Sequence, residues 1–245
     1  MMMQAMLEVV VETVEDAVAA HNGGADQVEV KCDYLEYGLT PTAGMLAEIR
    51  SSVSCRILSM VRPHARSFVY SKTDVAAMVS DIQRAESLGV DGFLVGCLTP
   101  ENEIDIDAMQ ALKDAAGEVA LHFHLAWEST PDPISTLEQL IELGIKSVRT
   151  SGGQGTQGIT TQNQQQLKTY VVQTTGRIEL FLAGGIRINN LVEVVTSTGI
   201  CNVHTGSGVR NPETRTGTVS EGKVRRLCAE LQSACQKLQG DQHNG

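Results

Sequence analysis

The chain reads as a single (β/α)8 barrel over residues 1–240, followed by a frayed polar tail at 241–245. Three observations predict this. Short β-branched runs alternate with amphipathic stretches along the whole length, the signature of βαβ units around a parallel sheet. Eight such pairs can be counted, and no dinucleotide fingerprint points to an open, doubly wound sheet instead. The length of 245 residues falls in the range of about 200–250 that an α/β barrel commonly occupies as one domain.

Taken in order, strands are predicted at Leu7–Val11, Gln27–Lys31, Arg56–Arg62, Gly92–Gly96, Ala120–His124, Ser147–Thr150, Ile178–Leu182 and Asn202–Thr205. The clearest helical stretches are Thr73–Leu88, Pro133–Leu143 and Ile188–Thr198, each closing on a glycine of the kind that ends helices: Gly89, Gly144 and Gly199. Each of those glycines leads within a few residues into the next strand, which makes a repeating helix-to-strand turn. Ser151 to Gln166 is rich in Gly, Gln and Thr and reads as a loop on the catalytic face, after strand six. Gly206 to Gly217 follows strand eight.

Composition narrows the function. With 42% hydrophobic and 20% charged residues the chain is an ordinary globular protein that can bury a core without disulfide staples. A net charge of −10 excludes a phosphate-backbone binder, because nucleic-acid affinity comes from clustered Lys and Arg. Met1 to Met6 is apolar but is followed by Glu8 and Glu12 and has no basic flank, so it reads as neither a signal peptide nor a membrane segment. The cytosol is the expected compartment, and there most of the six cysteines are expected to be reduced.

Charged side chains inside a β-branched run are costly unless they face a polar site or sit at a strand end. On this reasoning Glu8 and Glu12 share one face of strand one, and Glu29 and Lys31 one face of strand two. Arg62 ends strand three, His122 and His124 share a face of strand five, and His204 lies near the end of strand eight. Glu12, Lys31, Arg62, His124 and His204 fall at C-terminal strand ends, where barrel active sites are built. Glu8, Glu29, Arg62 and His124 are expected to share one cavity. Gly184 and Gly185 after strand seven, and Gly206, Ser207 and Gly208 after strand eight, fall where barrels commonly bind phosphate through backbone amides. Glycine is also what tight turns require. The cysteines form no C-x-x-C pair; Cys97 and Cys201 read as small buried hydrophobes, and Cys32, beside the mouth, as a reactive thiol or a soft-metal ligand.

The ordered set of motifs resembles the CutC family. It runs from Leu7-Glu8-Val9 through Gly23-Gly24-Ala25-Asp26, Gly38-Leu39-Thr40-Pro41, Met60-Val61-Arg62-Pro63, Leu98-Thr99-Pro100 and Phe123-His124 to Ala183-Gly184-Gly185-Ile186 and Val203-His204. The resemblance implies a (β/α)8 barrel, a role in copper homeostasis with Cu(I) held through cysteines, and a homo-oligomer. The chain departs from the family's pattern at those cysteines: Lys31 stands where the strand-two cysteine is common, with Cys32 one place later, and Val10 stands in strand one. A one-residue shift turns a strand side chain to the opposite face. The motif Phe-His-Arg-Ala-Phe-Asp appears as Phe123-His124-Leu125-Ala126-Trp127-Glu128.

Three readings follow: a copper-homeostasis protein holding Cu(I) through Cys32 with a histidine such as His204; an enzyme acting on a small anionic or phosphorylated metabolite; or an inactive scaffold. In the enzyme, Arg62 and the glycine loops hold the anion, His124 or a glutamate is general acid or base, and Lys31 is an electrophile or Schiff-base former. Charges retained inside the barrel argue against the scaffold, since they reduce stability when no ligand needs them.

Overall fold

The structure is a computed structural model that describes residues 5–153, 159 and 161–243. Eight parallel strands close into a barrel in chain order: β1 (Met6–Val11), β2 (Gln27–Val30), β3 (Arg56–Met60), β4 (Gly92–Val95), β5 (Ala120–Phe123), β6 (Ser147–Thr150), β7 (Glu179–Leu182) and β8 (Asn202–Thr205). Eight helices alternate with them: α1 (Val14–Asn22), α2 (Ala43–Ser52), α3 (Lys72–Glu86), α4 (Ile106–Ala116), α5 (Pro133–Glu142), α6 (Thr161–Thr174), α7 (Leu191–Thr198) and α8 (Glu221–His243).

Helix starts are set by local chemistry. Thr13, Thr42, Asp105 and Asp132 each accept a first-turn amide through a side-chain oxygen, and Ser71 forms a reciprocal capping box with Asp74. The capping glycines Gly89, Gly144 and Gly199 have φ of 78°, 76° and 77°, a left-handed turn that L side chains adopt only with strain.

The main core lies between sheet and helices, where Leu7, Val9, Val11, Val28, Val30, Phe93 and Val203 point outward from their strands. The intervening residues point into the barrel, and many are polar: Glu8, Gln27, Glu29, His122, Ser147 and Arg149 are all buried. Barrel interiors are ordinarily filled by branched apolar side chains, so this interior is a place where stability has been given up. No helix among the described residues is long and apolar enough to cross a membrane.

Several expectations are corrected. Strands β2, β3, β4 and β5 stop one or two residues early, so Lys31, Arg62, Gly96 and His124 sit just past their strands. The stretch read as a loop to Gln166 is helical from Thr161, while residues 154–158 and 160 lie outside the described ones. Residues 241–243 of the expected tail belong to α8, and residues 244–245 lie outside the described ones. Cys201 is not a lone hydrophobe: it is disulfide-bonded to Cys235 with Cα atoms 5.9 Å apart, and Cys32, Cys55, Cys97 and Cys228 are free. Spacing does not show this pair, because α8 packs back on α7 and α1 and brings together residues 34 apart in sequence.

Candidate functional site

The site is built upward from the polar barrel interior. Register places Glu8 of β1 beside both His204 of β8 and Gln27 of β2, with Glu29 one pleat nearer the mouth. His204 Nδ1 lies 2.7 Å from Glu8 Oε1 and 3.2 Å from Glu29 Oε2. Glu8 also accepts from Gln27 Nε2 at 2.6 Å and from Arg149 Nε at 3.0 Å, and Arg149 Nη2 grips its second oxygen. Lys31 Nζ forms an ion pair with Glu29. Arg149 Nη1 reaches Ser147 Oγ at 2.8 Å, and that hydroxyl meets His122 Nδ1 at 2.7 Å. One network therefore crosses the barrel from β2 to β5.

Protonation follows from these neighbours. Burial alone would raise the Glu8 carboxyl, but the Arg149 guanidinium and the His204 hydrogen bond outweigh it and hold Glu8 down at about 2. Burial likewise opposes ionisation of Glu29, yet Lys31 and His204 hold it well below the usual carboxylate range. For His204, burial favours the neutral ring, but Glu29 and Glu8 prevail and its pKa is raised. His122 and His124 go the other way: burial first, then Arg149 beside His122 and Arg62 beside His124, push both down to about 3.

Above this floor opens a cavity of about 550 Å³ at the C-terminal ends of the strands. Of the expected site residues, Glu29, Lys31, Arg62, His124, His204, Gly184, Gly185, Gly206 and Ser207 line it. Glu8 does not; it lies beneath, covered by His204 and Arg149. Arg62 is pinned at the wall, donating from Nη1 to the carbonyls of Glu36 (2.6 Å) and Gly38 (2.9 Å) and from Nη2 to that of Ala65 (3.3 Å). His124 packs its ring on Phe68, centroids 4.6 Å apart, in space left by Gly96, where a Cβ would collide with the imidazole. Gly184 and Gly185, with φ of 89° and 81°, turn the chain after β7. They share the rim with Gly206 and Ser207, and Arg187 Nη2 reaches Ser207 Oγ at 3.3 Å.

Two expected residues lie elsewhere. Cys32 lines no part of the cavity; its thiol donates to the Thr40 carbonyl at 3.1 Å, and burial followed by Asp33 raises its pKa. Glu12 accepts the Tyr34 amide at 2.8 Å and caps that turn instead of facing the mouth. Sequence reasoning missed Arg149, Arg187 and Arg215, all of which line the cavity. Arg149 carried the same signal that marked Glu8 and Glu29, a charge within a strand run. Arg187 and Arg215 lie in connectors, where a charge signals nothing.

The profile of the CutC family matches residues 5–209. A family protein CutC of Bacteroides thetaiotaomicron is 37% identical over 80% of this chain and 78% of its own. A human protein named copper homeostasis protein cutC homolog is 33% identical over 81% of this chain and 72% of its own. Among solved structures, the putative copper homeostasis protein CutC of Streptococcus agalactiae superposes with a TM-score of 0.78 at 27% identity, covering 83% of this chain and 98% of that one. Family profile, curated relatives and solved fold agree: this chain belongs to the CutC family.

Proposed function

We propose that this CutC-family barrel binds a small phosphorylated metabolite at its mouth and performs proton-transfer chemistry on it, of the lyase or isomerase type. One observation carries the reading. Six cationic side chains line the cavity once the charged His204 ring is counted: Lys31, Arg62, Arg149, Arg187, Arg215 and His204. Glu29 lies among them, and Glu8 and Glu213 pair with Arg149 and Arg187 from outside the lining, so three positive charges remain in excess in a chain whose overall charge is −10. A cleft lined by one sign of charge concentrates the opposite one.

The phosphate is assigned to the rim of Gly184, Gly185, Gly206 and Ser207, where backbone amides and Arg187 are at hand. His204 is the acid: its Nδ1 is turned to Glu8 and Glu29, leaving Nε2 for the ligand, and those carboxylates keep the ring charged. Lys31, held by Glu29 at the mouth, supplies a positive charge to an oxygen developing negative character. The reading includes the cytosolic setting and the homo-oligomer that family resemblance implies.

Direct Cu(I) binding fits these residues less well. Glu8, Glu29 and His204 bring ligand atoms within 4.8 Å of one another, the sole such group among the described residues. The donors are oxygen and nitrogen, whereas cuprous ion prefers thiolate or thioether. Both carboxylates are already compensated by Arg149 and Lys31, and the Cys32 thiol faces Thr40. The copper-homeostasis role named for the human relative would then be exerted through a metabolite.

Calorimetric titration with inorganic phosphate tests the proposal. Binding in the millimolar range or tighter, weakened at least tenfold in Arg187→Met, is expected. No binding to wild-type protein at 10 mM phosphate, a probe concentration set by the millimolar affinity scale of about −4 kcal/mol, would sink it.

A further inference from the structure

Opposite the glycine rim, β3 and β5 end in a second pair of polar groups that the phosphate site leaves unused. β3 lies four strands from β7 around the eight-stranded barrel and therefore faces it across the mouth. Arg62 and His124 both line the cavity on this side, and each is more than nine-tenths buried, with 6% and 8% exposure. Among the described residues, neither Arg62 Nε nor His124 Nε2 has a hydrogen-bond partner, and the Tyr70 hydroxyl beside Arg62 is likewise unpartnered. Buried donors are almost always partnered in folded proteins, so a pair of unpartnered ones at a cavity wall marks a place for an acceptor.

The chemistry of the two groups identifies that acceptor. The Arg62 guanidinium spends Nη1 and Nη2 on backbone carbonyls, which fixes its plane and leaves Nε–H and a full positive charge. His124 Nδ1 accepts the amide of Ala126 at 3.3 Å, so the proton of the neutral ring is on Nε2 and that atom is a donor. Phe68 packs on both, its ring centroid 5.0 Å from the Arg62 guanidinium carbon and 4.6 Å from the imidazole centroid. Two donors, one of them charged, on an apolar wall suit a group that only accepts hydrogen bonds and carries negative charge.

We infer that Arg62 and His124 form a carboxylate subsite, so that the ligand of this barrel is a small phosphorylated carboxylic acid spanning the mouth. The inference rests on the phosphate reading given above. The charge of the lining agrees with it, because the three positive charges left after Glu8, Glu29 and Glu213 are set against Lys31, Arg62, Arg149, Arg187, Arg215 and His204 exceed what one phosphate dianion neutralises. A cavity of about 550 Å³ is also far larger than a phosphate ion requires. Glu29, Lys31 and His204 then lie between the two anchored ends, beside the carbon atoms that join them.

The test compares 2-phosphoglycolate with ethyl phosphate, which shares its phosphate ester and two-carbon backbone but lacks the carboxylate oxygens, by calorimetric titration of the full chain. Wild-type protein is expected to bind 2-phosphoglycolate at least tenfold more tightly. In His124→Phe, which keeps a ring against Phe68, that preference should fall below threefold while ethyl phosphate affinity holds. Equal binding of the two compounds by wild-type protein overturns the carboxylate subsite and leaves the phosphate reading standing. Binding of neither overturns both. As a check independent of any variant, 15N-correlated imidazole spectra should show the His124 Nε2–H resonance shifting with 2-phosphoglycolate but not with ethyl phosphate. A resonance unmoved by either compound, or shifted equally by both, removes His124 from the subsite.

Discussion

Arg149 of β6 grips both oxygens of the Glu8 carboxylate of β1 across the inside of the barrel, 141 residues away in sequence, and both side chains are fully enclosed. The pair joins walls three strands apart around the closed barrel, and His204, which bonds the same carboxylate, sits on it. Arg149→Met should therefore leave the buried Glu8 carboxylate with His204 as its remaining charged partner and cost about 3 kcal/mol, the low end for a broken buried pair, measured by urea denaturation. The double variant Glu8→Gln, Arg149→Met should recover part of that loss, because the carboxylate that lost its guanidinium is then neutral. A single-variant loss under about 1 kcal/mol, the scale of an exposed pair, would show that the pair does not hold the barrel together.

Glu29 sets the protonation of His204. Burial drives that ring toward neutrality, and Glu29, ahead of Glu8, is what raises it. In Glu29→Gln the His204 pKa should move down, read from its NMR titration curve against wild type. An unchanged curve would mean that Glu8 alone holds the proton.

His122 and His124 are kept neutral in the fold at about pKa 3, whereas an unfolded histidine titrates near 6.5. The unfolded chain therefore takes up protons first, and stability is fully present above pH 6.5 and declines as pH falls toward 3. The slope is about 1.4 kcal/mol per pH unit for each ring. His204 acts with the opposite sign, its contribution being complete below pH 6.5 and lost as pH rises through its own raised value. Between pH 6.5 and 5 the two neutral rings dominate, and His122→Leu should roughly halve the slope. Denaturation midpoints that stay constant over this range in wild-type protein would contradict the assignment.

The disulfide ties the start of β8 to α8. Thiol titration of unreduced, denatured protein should find four free thiols, matching Cys32, Cys55, Cys97 and Cys228. Reduction should lower stability by about 2–4 kcal/mol. Six titratable thiols without reductant would refute the pair.

Cuprous ion offers the remaining test. Competition against a Cu(I) chelator should show no tight stoichiometric uptake, since a lone thiolate rarely holds the ion unaided and Cys32 is turned to Thr40. Tight uptake abolished by Cys32→Ala would restore direct copper binding.

The barrel itself was legible in the residues. Strand and helix periodicity, the three capping glycines and the length specify eight βα units, because those signals are local and repeat. The acidic and basic side chains that interrupt the strands were legible too, and most of them do reach one cavity. Strand alternation also explains why Cys32 turns away while Lys31 and Glu29 meet.

What the residues could not disclose was pairing. That Glu8 lies under the cavity and not on its wall, that Arg149 holds it, and that Cys201 finds Cys235 depend on which strands and helices come to face one another once the barrel closes. The charge balance of the mouth was hidden for the same reason. Arg187 and Arg215 stand in connectors where a charge has no structural consequence along the chain, and they become a site only when closure of the sheet gathers β7, β8 and the segment beyond onto one rim. Periodicity is a property of neighbours in sequence, whereas charge compensation is a property of neighbours in space, and a closed sheet makes the two sets almost entirely different.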